Sequence, residues 1–101
     1  MSVITTLEHS ARRLFPDWSL DRVLAELLLE RAQRNLIKYQ VQHRHFEEKY
    51  EQIFDEFRRF VLDSEAPFEV EQDYFDWELA VTGIQDMQEE IARLKNLEHT
   101  L

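Results

Sequence analysis

The chain has 101 residues, 44% of them hydrophobic and 12% aromatic, which bounds it to one domain with one modest core and excludes a disordered chain. One Gly and two Pro leave little turn chemistry for a many-stranded sheet, and the absence of Cys excludes a disulfide framework, a thiolate metal site and a cysteine nucleophile. The net charge of −9 is uneven, with five acids and seven bases in residues 1–46 but 16 acids and five bases in residues 47–101, so direct nucleic-acid binding by the second half is disfavoured.

No window approaches 18 consecutive apolar residues and no basic start leads into a secretory apolar run. A cytoplasmic protein without membrane contact is therefore expected. Residues 1–18 are the least regular part. Thr6 to Phe15 can form a short helix presenting Leu7, Leu14 and Phe15, and Pro16 ends it. Asp17 or Ser19 can then cap the next element, with Asp21 in its first turn.

The stretch 19–50 contains neither Gly nor Pro. Ala25, Leu29, Ala32, Leu36, Tyr39, His43, Phe46 and Tyr50 recur at alternating steps of four and three, which is a heptad seam. A helix of that length reaches roughly 48 Å at about 1.5 Å per residue, so it needs a second long helix alongside it, as in a coiled coil. In its first part Leu20, Val23, Leu24, Leu27, Leu28 and Leu29 span more arc than a two-helix seam buries. Either the N-terminal aromatics fold back onto that face or two copies join into a four-helix bundle, and a homodimer is the expectation.

A short helix follows over residues 54–63, with Phe54, Phe57, Phe60 and Val61 on one side and Asp55 as a candidate cap. Ser64-Glu65-Ala66-Pro67 is the clearest boundary in the chain. Beyond it, residues 68–97 form a second long helix whose seam reads Val70, Tyr74, Trp77, Val81, Ile84, Met87, Ile91 and Leu94. The fold class expected is all-α: an antiparallel helical hairpin with a short helix at the bend, forming one domain over 1–101. In that register Trp77 lies near His43 and Ile84 near Leu36. Gly83, a mid-helix glycine worth about 1 kcal/mol against alanine, points to close helix approach.

Chemistry-bearing patterns are weak. His43 and His45 are two apart on a helix and face different ways, so they do not make a metal pair. Glu47, Glu48 and Glu51 with Asp73 and Asp76 resemble the Mg²⁺-binding carboxylates of MazG-like nucleoside triphosphate pyrophosphohydrolases, although Asp73 stands where that family has Glu. Arg93 and His99 resemble the Arg-x4–6-His motif of HEPN ribonucleases, but in a helix tail that frays. No catalytic residue, cofactor or metal is expected on this reading.

The most informative stretch is Asp63 to Glu78, with seven acids, no base, and Phe68, Tyr74, Phe75 and Trp77 interleaved. Tyr74 and Trp77 belong to the seam. Phe75 either covers the short helix through Phe57 or Phe60, or stands outside among carboxylates as part of a docking surface for a basic partner.

The run Leu27-Leu28-Leu29-Glu30-Arg31-Ala32-Gln33-Arg34-Asn35-Leu36-Ile37-Lys38-Tyr39, with Phe46-x-x-Lys49-Tyr50 and then Pro67-Phe68-Glu69-Val70-Glu71-Gln72-Asp73-Tyr74-Phe75-Asp76-Trp77-Glu78, resembles a family of small prokaryotic all-helical proteins associated with TumE-type toxins as their antitoxins. The resemblance covers about residues 20–97. It implies a protein-interaction module that binds and neutralises a basic, RNase-like toxin, with Glu69, Glu71, Asp73, Phe75, Asp76 and Glu78 as the partner-binding residues. Family members often carry Gly after the tyrosine matching Tyr50, where this chain has Glu51, so the first bend is expected to be less sharp or helical throughout. The remaining alternative is a purely structural helical dimer.

Overall fold

The computed structural model describes residues 2–101, which form four α-helices and no strand: α1 (Val3–Leu14), α2 (Leu20–Tyr50), α3 (Phe54–Asp63) and α4 (Phe68–Glu98). Helix α1 begins before Thr6 because Ser2 caps it. The Ser2 Oγ accepts the Thr5 N–H at 3.2 Å, satisfying one of the orphan donors of the first turn. Ser19, and not Asp17, does the same for α2 by accepting the Arg22 N–H at 3.2 Å.

Helix α2 ends at Tyr50, and the chain turns sharply there despite the missing glycine. Glu51 takes up the left-handed conformation at φ 50°, the only positive φ among the described residues. For a residue with a Cβ that conformation costs roughly 1–2 kcal/mol. Helix α3 starts after Ile53 with no side-chain cap, so Asp55 lies in the first turn and interacts with the helix dipole instead.

The two long helices pack along their length with numbers rising on one and falling on the other. Lys49 meets Asp73, His43 meets Trp77, Tyr39 lies on Gly83, and Leu29 and Ala32 cluster with Leu94. The chain is drawn out accordingly, to 58 × 30 × 18 Å, with a Cα radius of gyration of 19.7 Å against about 13 Å for a compact domain of this size.

Every residue of both heptad seams is buried or half-buried. Small residues deepen the contact, since Ala25, Ala32, Ala80 and Gly83 are all buried in it. The core falls into two clusters along the rod. At the α3 end Phe46, Phe57, Val61, Tyr74 and Trp77 pack together, and at the other end Leu29, Ala32 and Leu94 do so with Met87 and Ile91.

The N-terminal aromatics fold only onto the start of α2. Phe15 stacks on Trp18 at 5.2 Å between ring centroids, and the Arg22 guanidinium sits 4.1 Å over the Trp18 ring. Leu24, Leu27 and Leu28 stay exposed, and no residue of α1 is buried.

Candidate docking surface

Two local arrangements fix the first turns of α4. Trp77 is fully buried, with Phe57, Phe54 and Phe46 ring centroids at 5.1, 5.3 and 5.7 Å. Its Nε1–H donates to His43 Nδ1 at 2.8 Å. The other ring nitrogen, His43 Nε2, lies 3.4 Å from Glu47 Oε1 one turn along α2.

The second arrangement involves Asp73, whose side chain is 18% exposed. Its Oδ2 accepts from both Lys49 Nζ and Tyr50 OH at 2.5 Å. Burial alone would raise the Asp73 carboxyl, but the hydrogen bonds from Lys49 and Tyr50, with the Lys49 and His45 charges, outweigh it and hold the group below its ordinary value. Burial first, and then the bond to Asp73, pushes the Tyr50 phenol up to about 12.

Unlike its acidic neighbours, Asp73 is engaged within the chain and ties α2 to α4. Removing it should lower stability near neutral pH by about 1 kcal/mol, at the low end for charge-assisted hydrogen bonds because water reaches Lys49.

The pH dependence has a definite sign. A depressed carboxyl contributes above its unfolded value near 3.9, and that contribution is lost as pH falls through the folded value. A raised phenol contributes below about 10 and loses its contribution as pH rises toward about 12. Urea unfolding of the wild type and of Asp73→Asn across pH should therefore show a stability gap that is widest between about 5 and 9 and narrows on either side. A gap independent of pH would contradict the assignment.

The other residues face outward. Glu69, Glu71, Phe75, Asp76 and Glu78 are all exposed, and Phe75 does not cover α3, whose inner face is filled by Phe54, Phe57 and Val61 against Tyr74 and Trp77. Phe68, Phe75 and Leu79 are 78%, 56% and 68% exposed. With Gln72 they follow steps of four, three and four, so they form one ridge along the solvent side of α4.

Carboxylates line both flanks of that ridge. Glu69 and Asp76 lie two turns apart on one side, Glu71 and Glu78 two turns apart on the other. Asp76 receives only the side-chain amide of Gln72, at 3.3 Å. No Lys or Arg occurs from residue 60 to residue 92. Beside the ridge a groove opens between α2 and α4, with Asp76 and Leu79 on the α4 side and Lys38, Val41, Gln42 and His45 among its α2 residues.

Leu79 lies one residue past the acid-rich stretch that ends at Glu78 and so stands outside its pattern. Its signal was the step of four from Phe75. The carboxylates required for a Mg²⁺ centre do not gather: Asp73 is held by Lys49 and Tyr50, and among the described residues no three His, Asp or Glu side chains come together as a metal site.

No family model, curated protein or solved structure matches the chain. Among the described residues no helix is long and apolar enough to cross a membrane.

Proposed function

We propose that this chain is a protein-interaction module: an antiparallel helical hairpin that pairs with a second copy and docks a basic protein partner on α4. The partner class follows from charge and from the resemblance, and is a basic RNase-like toxin that the chain neutralises as an antitoxin by covering its nucleic-acid groove.

One observation carries the reading. An exposed Phe68–Phe75–Leu79 ridge runs between two rows of carboxylates on a stretch of helix that carries no Lys or Arg of its own. An apolar centre desolvates and supplies most of the affinity, while a rim of one sign steers an oppositely charged partner and rejects others. Tyr74 and Trp77, on the same turns, hold the ridge in place from beneath.

The test is direct binding to the protein encoded beside this chain's gene, together with growth rescue of cells expressing that protein. Phe75→Ala should weaken the complex at least tenfold. Reversing the exposed pair, Asp76→Lys with Glu78→Lys, should slow association and flatten its salt dependence, because the screened long-range attraction is removed. No binding, or no rescue, removes the antitoxin reading. Binding unaffected by all three changes removes this surface.

A further inference from the structure

The first third of α2 carries an apolar face that none of the described residues covers. Leu20, Leu24, Leu27 and Leu28 are between 38% and 57% exposed. Next to it, α1 has its own unpartnered stripe, Val3, Ile4, Leu7 and Leu14, between 58% and 76% exposed. Clustered exposed leucines of this kind mark an association surface and not ordinary scatter.

The charges that continue the stripe decide what can cover it and how. Steps of three and four from Leu20, Leu24 and Leu27 lead to Arg31, Arg34 and Lys38. Residues 31–46 hold four bases and no acid, and no carboxylate pairs with Arg31, Arg34 or Lys38 among the described residues. The acids on this side of α2 are Glu30, which lines the same patch beside Arg31 and Arg34, and Asp21 in the first turn at the opposite end.

We infer that a second copy covers this face, with the two α2 helices crossing antiparallel about a two-fold axis between Leu27 and Leu28. A parallel pairing would stack Arg31 on Arg31, Arg34 on Arg34 and Lys38 on Lys38 of the other copy, which is repulsive. The antiparallel pairing sets Leu27 against Leu28 and lays the aliphatic stem of Arg31 over Leu24. It also brings Arg34 to the Asp21 end, since the two lie about equally far from the centre, roughly 10 Å at about 1.5 Å per residue. The same surface serves both copies, as a two-fold interface requires.

This interface rests on the dimer proposed above and specifies its register. It lies on α2, so it leaves the α4 ridge free, and its test needs no basic partner.

Because the chain has no cysteine, single thiols report the register without background. Full-length Leu27→Cys should join into a covalent dimer with a short bismaleimide. Leu24→Cys and Arg31→Cys should join efficiently when mixed and poorly when each is alone. Sedimentation at tens of micromolar should give twice the 12.3 kDa chain mass, and Leu27→Lys with Leu28→Lys should give the single mass at unchanged helix content. Wild type sedimenting as a monomer overturns the proposal. Arg31→Cys cross-linking as well alone as in the mixture overturns the antiparallel register.

Discussion

Trp77→Ala should lower stability by about 3–5 kcal/mol, the range for truncating a large buried aromatic, and lower the melting temperature by more than about 10 °C. The side chain is fully buried, and its removal opens a cavity walled by Phe46, Phe54 and Phe57. It also strips His43 Nδ1 of its donor. That loss is a large part of the roughly 5–15 kcal/mol available to a domain.

The damage should spread to α3 first. That helix packs mainly on α4 and joins the rest through Phe57 and Val61, which sit in the same cluster as Trp77. Limited proteolysis of Trp77→Ala should cut between residues 51 and 67 before it cuts α2. Trp77→Phe keeps a ring without the N–H, and should fall between wild type and alanine. A melting temperature within a few degrees of wild type for Trp77→Ala would mean that this cluster does not hold the rod together.

Gly83→Val should destabilise by about 2–3 kcal/mol. A Cβ at this position would stand 2.7 Å from the Tyr39 ring, far inside contact distance. Tyr39 is half-buried in the α2 seam, so relief requires the ring to leave or the long helices to part. Alanine gains about 1 kcal/mol of helix propensity but meets the same contact, and overpacking of this kind typically costs about 1–3 kcal/mol. Gly83→Ala should therefore end mildly destabilised. Tyr39→Leu combined with Gly83→Ala should recover most of the deficit, giving a favourable coupling in a double-mutant cycle followed by urea unfolding. Additive effects would place the strain elsewhere.

Much of this architecture was legible because a heptad needs only apolar spacing. Tyr39, His43, Tyr74 and Trp77 are visible from their steps of three and four, and all lie in the contact. Ala80 does not stand out because Val81 beside it fills the same seam step, and Gly83 signals only close approach because it has no side chain to follow the spacing.

Glu51 could not be read as a sharp turn, since a positive φ is not a preference of glutamate and is held here by the docking of α3 on α4 beyond the bend. Asp73 resembled its acidic neighbours in the sequence. What sets it apart is the approach of Lys49 and Tyr50 from another helix, more than 20 residues away. Phe75 had two readings, over α3 or in solvent. Phe57 and Val61 already close the space beneath α3, and the ring faces outward.

The distribution of the aromatic cluster has a consequence for recognition. Its rings stand directly under the turns that carry Phe68, Phe75 and Leu79, whereas the opposite end of the rod rests on small and aliphatic residues, Val23, Ala25, Leu29, Ala32 and Leu94, and a terminal helix that buries nothing. Local opening should therefore begin at the termini while the ridge keeps its shape. A guest arriving there meets a mould already set, and surrenders little of its binding energy to ordering the host.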